Sequence, residues 1–242
     1  MSELSITKGT TYPLGATITK DGVQFAAVLH KEGDCGVVLI EKSTGNKIKI
    51  PFSDGKRIGN ISSVLVKNLE YDLYDYNFYC NEEEYVDPHA KRIIGNEKWG
   101  IKETEVILRS GFGSVYENWE GDEPLCIPYE DSVIYCLHVR GFTKHPSSKV
   151  KGAGTYQGII AKTDYLKSLG VTAIELMPAY EFEEYNPPSK EEKNDVMSFF
   201  ETKPVMPINY WGYKEGYYFA PKASYAYSDD ACSEFKEMVK HL

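Results

Sequence analysis

The first half of the chain alternates between apolar and polar residues over short stretches. In VQFAAVL, every second residue from Val23 to Leu29 is apolar, which predicts a strand with one buried face. The stretches GVVLI, KIKIPF, ISSVLVKNL and YDYNFYC follow at short intervals, separated by turn-forming clusters such as STGN and SDGKRIGN. Many short strands with frequent turns predict an antiparallel β-sandwich of the immunoglobulin-like kind over residues 1–115.

The pattern changes after residue 130. SVIYCLHV (Ser132–Val139) is almost continuously apolar, which is typical of a strand covered on both faces. Apolar residues and a threonine then recur every three or four positions from Ile159 to Leu169, which predicts a helix ending at Gly170. VTAIELMP (Val171–Pro178) predicts a second buried strand. A strand, a helix and a strand in this order form a βαβ unit, which predicts a parallel sheet.

A further helix is predicted in DDACSEFKEMVKHL, near the end of the chain. Its apolar face consists of Phe235, Met238, Val239 and Leu242. The sequence ends inside this pattern, so we expect the chain to be the N-terminal part of a longer protein. The polar stretch from Glu181 to Asn209 is longer than an ordinary connection, which indicates a functional or partly disordered loop.

Composition argues against several classes of protein. The net charge of −9 in 242 residues argues against nucleic-acid binding, which would need a basic face. No stretch approaches the ~18 apolar residues of a membrane span, and the N-terminal residues do not resemble a secretory signal. We therefore expect no nucleic-acid or membrane partner and a cytoplasmic location.

The cysteines and histidines show no metal-binding or redox spacing. Five cysteines are present, an odd number, and they are widely separated without a C-x-x-C pair. We expect them to be buried free thiols in a reducing compartment, and we expect no metal and no cofactor. The cysteines are Cys35, Cys80, Cys126, Cys136 and Cys232.

Several motifs resemble a known family. YPLGATITKDGVQFAAVL (Tyr12–Leu29) and YVDPHAKRI (Tyr85–Ile93) resemble the immunoglobulin-like glycogen-binding-type module of debranching and branching enzymes. VIYCLHVRGFT, LKSLGVTAIELMP and NYWGYKEGYYFAPKASYA resemble the start of the catalytic barrel in the α-amylase superfamily. HVRGFT and NYWGY together are similar to its isoamylase, pullulanase and glycogen-debranching members. The resemblance implies an immunoglobulin-like β-sandwich (1–115), a linker (116–130) and an incomplete (β/α)8 barrel with its first two strands and helices (131–242).

The resemblance also implies an activity. Such enzymes are retaining glycosidases that hydrolyse α-1,6 branches of glycogen, starch or limit dextrins, using two carboxylates ~5–5.5 Å apart. The family's Asp-x-x-x-Asn-His motif is absent here, so we expect the catalytic Asp, Glu and Asp beyond Leu242 and no activity from this chain alone. Glu175 is expected to make a structural hydrogen bond. The nearby Glu181, Glu183 and Glu184 are expected to form a solvated loop face.

Candidate substrate-binding residues follow from the same resemblance. Tyr213 matches the tyrosine after Trp-Gly that lies under the sugar next to the cleaved bond, and an aromatic face suits the C–H face of a sugar. Tyr210 and Trp211 are expected to be packing residues. His138 and Arg140 are predicted to point the same way at the end of the first barrel strand. They are expected either to contact the sugar or to support the barrel mouth.

Other readings remain open from the sequence. A free-standing glucan-binding protein and the start of a branching enzyme would carry similar motifs. The N-terminal module contains no tryptophan before Trp99, so we expect a packing role for it rather than an independent sugar site. Asp87 is expected to fix the turn before Pro88. The expected partner is a branched α-glucan.

Overall fold

The alternating stretches in the first half of the chain form antiparallel strands. The computed structural model describes residues 4–29, 33–52, 58–100, 107–113, 119–185 and 208–242. The strands of the first half are β1 (Ser5–Lys8), β2 (Gly15–Thr19), β3 (Gly22–Val28), β4 (Cys35–Glu41), β5 (Lys47–Pro51), β6 (Ile61–Lys67), β7 (Tyr74–Cys80), β8 (Glu83–Tyr85), β9 (Arg92–Ile94) and β10 (Arg109–Gly111). One sheet has the order β1-β6-β3-β2, and the other has the order β5-β4-β7-β10-β9 with β8 paired to β7.

The two sheets share one hydrophobic core. Alternate residues of β3, β4, β6 and β7 point into it, including Val23, Phe25, Leu39 and Tyr76, which are fully buried. The side chains that point into this core alternate along each strand, as the period of a strand dictates when one face meets another sheet. The five strands predicted from the sequence are confirmed. These strands belong to a first unit comprising Met1–Asn96, Ile107–Asn118 and Tyr217–Pro221.

Asp87 is the polar centre of this unit. Its Oδ1 accepts a hydrogen bond from the backbone N–H of His89 (2.8 Å), and its Oδ2 accepts one from the buried hydroxyl of Tyr76 (2.7 Å). The first bond is the turn expected before Pro88, so the structural interpretation of Asp87 is confirmed. Burial raises the pKa of the Asp87 carboxyl, and the hydrogen bond from Tyr76 opposes this rise.

The state of the cysteines differs from the prediction made from the sequence. Cys35 and Cys80 lie directly opposite each other on β4 and β7 and form a disulfide. Cys126 and Cys136 are exposed, and Cys232 is buried and outside the disulfide. The prediction of five buried free thiols is therefore wrong. Local spacing does not predict this pair, because the two cysteines are 45 positions apart and only strand pairing brings them together.

The second unit comprises Glu97–Val106, Trp119–Gly216 and Lys222–Leu242 and contains the predicted βαβ segment. Its elements are β11 (Ile134–Leu137), α1 (Val139–Lys144), α2 (Tyr156–Ile160), α3 (Thr163–Ser168), β12 (Ala173–Leu176), β13 (Tyr180–Phe182) and α4 (Ala231–His241). A further strand, β14 (Gly216–Pro221), belongs to the first unit except for its first residue. β11 and β12 are parallel, with Ile134 opposite Ala173, so the predicted parallel pairing is confirmed. The predicted long helix is instead two short helices, α2 and α3. Gly170 follows them in the left-handed conformation (φ 77°), as expected.

Among the described residues, those that cover the β11–β12 pair lie on one face only. Tyr135 and Leu137 join the core formed with α2 and α4, whereas Ile134 is 64% exposed and Cys136 is also exposed. The prediction of strands buried on both faces is therefore wrong for the residues that the structure describes. An apolar run records which side chains can be buried, but it does not say what covers them.

The last helix forms where the sequence predicts it, and its first turn is capped. Asp230 Oδ1 accepts hydrogen bonds from the N–H groups of Cys232 (3.1 Å) and Ser233 (3.2 Å), which satisfies the free donors of the first turn. Met238 is fully buried, whereas Val239 is nearly half exposed and lies at the edge of the apolar face. Within the described part of the chain, no helix is long and apolar enough to cross a membrane.

Candidate functional site

The NYWGY loop (Asn209–Tyr213) is held by polar contacts with neighbouring segments of the second unit. The N–H of Asn209 donates to the carbonyl of Glu184 (2.8 Å), and the Asn209 side chain accepts from the N–H of Gly212 (3.2 Å). The hydroxyl of Tyr180 donates to the carbonyl of Gly212 (2.9 Å). These bonds fix the backbone immediately before Tyr213.

Gly212 is required by both conformation and space. Its φ of 75° lies in the left-handed region, and a Cβ built there would lie 2.4 Å from Cε1 of Phe182. Phe182 is itself buried in the core of this unit. Only glycine allows the backbone to turn this close to the Phe182 ring. After this turn, Tyr213 points away from the core.

The three aromatic residues of the loop have different environments. Tyr213 is 72% exposed, and no ring or hydrogen-bond contact to it exists among the described residues. Tyr210 is half-buried and stacks on the ring of His138, with centroids 4.4 Å apart and planes at 6°. Trp211 is 54% exposed and meets Tyr210 edge-on at 5.2 Å. Tyr210 and Trp211 thus have ring partners, whereas Tyr213 presents an open face.

His138 does not lie in a strand, which corrects the sequence interpretation. β11 ends at Leu137, and His138 is the N-cap of α1. Its Nδ1 accepts from the N–H of Gly141 (3.0 Å), so the ring proton of the neutral imidazole is on Nε2. Nε2 donates to the carbonyl of Tyr210 (2.8 Å) and lies 3.1 Å from the hydroxyl of Tyr225. Burial lowers the pKa of His138, which favours this neutral form.

Arg140 lies in the first turn of α1 and therefore does not share a strand face with His138. Its guanidinium is 4.8 Å from the ring centroid of Trp99, a cation–π contact. Burial lowers the pKa of Arg140, while the Glu184 carboxylate opposes the shift. Over the described ranges, the guanidinium has no hydrogen-bond or salt-bridge partner.

Trp99, Tyr210 and Tyr225 form an aromatic wall that the sequence analysis did not predict. The rings of Trp99 and Tyr225 stack with centroids 5.6 Å apart, and Trp99 also meets Tyr210 edge-on at 5.9 Å. Tyr225 is fully buried, and desolvation raises the pKa of its hydroxyl. The sequence places Trp99 only near the connection, because no local pattern links it to residues more than 100 positions away.

A buried glutamate–lysine cluster lies in the same unit. It consists of Glu181, Glu184 and Lys222, whose side chains are 0%, 7% and 0% exposed. Lys222 Nζ lies 2.7 Å from Glu181 Oε1 and 2.8 Å from Glu184 Oε1. The prediction that Glu181 and Glu184 form a solvated face is wrong, because a buried lysine between them replaces the solvent. The sequence signal for this cluster is Lys222, a lysine within the otherwise apolar and small-residue run FAPKASYA.

The remaining acidic residues take no part in this cluster. Glu183 is exposed, as predicted. Glu175 is also exposed on β12, and no partner for its carboxylate lies in the described residues, so its expected structural hydrogen bond is not found. Most of the long polar stretch, residues 186–207, lies outside the described residues.

The arrangement suits binding more than chemistry. An exposed tyrosine follows a fixed loop, and the guanidinium of Arg140 lies over the aromatic wall. The carboxylates of the glutamate–lysine cluster are buried and bonded to protein groups. This combination fits a ligand with flat apolar faces and polar edges, such as a sugar.

Comparison with known proteins identifies relatives of this chain. Residues 140–206 match the family model of the α-amylase catalytic domain. The chain is 31% identical to isoamylase 1 of Arabidopsis thaliana over 97% of its own length and 33% of the relative. It is 40% identical to the isoamylase of Pseudomonas amyloderamosa over 46% of its length and 13% of the relative.

A solved structure shows the same fold. The pullulanase of Paenibacillus barengoltzii, in complex with maltohexaose and α-cyclodextrin, superposes with a TM-score of 0.68 at 25% identity. The match covers 97% of this chain and 36% of the pullulanase. The chain thus spans about a third of the length of the Arabidopsis isoamylase and of this pullulanase. In sequence and in fold, it is similar to the debranching-type members of the α-amylase family.

Proposed function

We propose that the whole protein is a retaining glycosidase that hydrolyses α-1,6 branch linkages of glycogen, starch or limit dextrins. The observation that carries this proposal is the match of 97% of the chain to an isoamylase at 31% identity. The catalytic Asp, Glu and Asp are proposed to lie outside these 242 residues. The chain then supplies part of the substrate-binding wall and none of the catalytic carboxylates.

Within this proposal, Tyr213 is the platform for the sugar next to the cleaved bond. Its support is an exposed ring on a backbone fixed by Asn209 and Gly212. Arg140 is proposed to donate hydrogen bonds to sugar hydroxyls, because its guanidinium has no carboxylate partner among the described residues. His138, whose two ring nitrogens are engaged by protein groups, supports the loop from behind.

The proposed domain organisation is an immunoglobulin-like module (1–115), a linker (116–130) and the start of a (β/α)8 barrel (131–242). The two-sheet core of the first unit supports the module. The parallel pairing of β11 with β12 supports the barrel, because such barrels are built from parallel strands joined by helices.

The experiment is an assay of the full-length protein on glycogen limit dextrin and on linear amylose. We expect linear chains to be released from the branched substrate alone, with the newly formed anomeric centre retaining its α-configuration in NMR spectra. Binding of both glucans without release of reducing ends would favour a glucan-binding protein. An increase in branch points from amylose would identify a branching enzyme, and either result would contradict the proposal.

A further inference from the structure

We propose that the glutamate–lysine cluster (Glu181, Glu184, Lys222) is a positioning device for the glucan-binding wall. This inference rests on the proposed function and names residues that act through others. All three side chains are buried and bonded within the protein, so none of them is placed to touch glucan. Their effect on binding is exerted through the NYWGY loop and through Trp99.

Every polar atom of the cluster has a partner. The three donors of Lys222 meet Glu181 Oε1, Glu184 Oε1 and the carbonyl of Phe182 (3.0 Å). Glu181 Oε2 accepts from the N–H of Ala223 (2.7 Å). Burying three charges is costly unless such bonds are complete, and a complete network fixes one arrangement of the segments that it joins.

Glu184 connects the cluster to the NYWGY loop. Its carbonyl accepts from the N–H of Asn209 (2.8 Å), while the side chain of Asn209 donates to the carbonyl of Glu183 (3.1 Å). The other end of the Asn209 amide holds Gly212, the residue before Tyr213. A shift of the Glu184 backbone is therefore passed to the loop that carries the proposed platform.

Glu184 also connects the cluster to the aromatic wall. Its Oε2 accepts from the N–H of Gly100 (2.6 Å), which fixes the residue next to Trp99. Trp99 in turn lies under the guanidinium of Arg140. The Glu184 carboxylate also acts electrostatically on the guanidinium of Arg140. One residue thus connects the cluster to both proposed glucan contacts: Glu184 reaches the NYWGY loop through its carbonyl and Trp99 through its side chain.

The test is Glu184→Gln in the full-length protein, with Glu183→Gln as the matched control. In Glu184→Gln, the amide NH2 must face either the Lys222 ammonium or the Gly100 N–H, and both are donors. Glu183 is the neighbouring residue and is exposed, and its carboxylate has no hydrogen bond or ion pair among the described residues. Ser224→Ala is a milder second variant, because it removes only the hydroxyl that donates to Glu184 Oε1 (2.8 Å).

Two measurements are made below the melting temperature of every variant. Hydrogen exchange of peptides covering residues 208–213 and 99–100 is expected to be faster in Glu184→Gln and, to a smaller extent, in Ser224→Ala. The kcat/KM for release of linear chains from limit dextrin is expected to fall roughly tenfold or more, because small misplacements of binding groups are costly. Glu183→Gln is expected to match the wild type in both measurements.

The outcomes separate this inference from the proposed function. A wild-type protein that releases no chains contradicts the proposed function, whereas hydrogen exchange still reports whether the cluster orders the loop. An active wild type with unchanged exchange or unchanged kcat/KM in folded Glu184→Gln, even at a lower melting temperature, refutes the positioning role. If Glu184→Gln does not fold, the same criteria apply to Ser224→Ala.

Discussion

Replacement of Gly212 by alanine tests how the NYWGY loop is built. Two costs are expected. A left-handed backbone costs a non-glycine residue about 1–2 kcal/mol, and Gly212 has a φ of 75°. The new Cβ would also lie 2.4 Å from the Phe182 ring, well inside the ~3.5 Å of an ordinary carbon–carbon contact.

The size of the second cost follows from packing. Forcing an extra carbon into a filled core typically costs about 1–3 kcal/mol. Together the two costs lower the free energy of unfolding by about 2–5 kcal/mol. Because the backbone before Tyr213 must move to relieve the contact, glucan binding is expected to weaken as well.

Gly170→Ala is the matched control. Gly170 has a nearly identical φ of 77°, but a Cβ there meets nothing within 4 Å. It is therefore expected to cost only the backbone contribution of about 1–2 kcal/mol. The measurement is urea unfolding of both variants alone and in a Phe182→Leu background. Equal destabilisation by Gly170→Ala and Gly212→Ala would refute the steric argument, as would failure of the smaller side chain to relieve Gly212→Ala.

Three further predictions address other parts of the chain. His138 has a pKa lowered by burial, so the free energy of unfolding falls as pH drops from the ordinary value of ~6.5 towards the lowered pKa. In urea unfolding at several pH values, His138→Asn, which retains a capping acceptor, is expected to lack this component; an unchanged pH dependence would contradict the buried neutral ring. Tyr213→Ala is expected to cost about 1–3 kcal/mol of transition-state binding. Tyr129→Ala, at a tyrosine that is 97% exposed, is the control, and equal kcat/KM in the two variants would exclude the platform role. Non-reducing peptide mapping is expected to recover Cys35 and Cys80 as one linked species, and alkylation of both thiols without prior reduction would disprove the disulfide.

The local features of the fold could be predicted because their causes are local. A strand from Val23 to Leu29 follows from alternation within seven residues, and the left-handed Gly170 follows from its position at a helix end. The motifs HVRGFT and NYWGY indicate the family for the same reason, since each is a short run of adjacent residues. The same motif places Tyr213 on this loop, and its exposed ring supports the proposed role.

Local sequence patterns account for the β-rich first half, the parallel pair of the second half and the similarity to debranching-type members of the α-amylase family. The burial of Glu181 and Glu184 around Lys222 arises only on folding, because it depends on a partner about 40 residues away. It likewise made His138 a helix cap that faces Tyr210, 72 residues later. Charge and polarity predict solvent exposure only where no distant residue supplies a partner, and here folding supplied one.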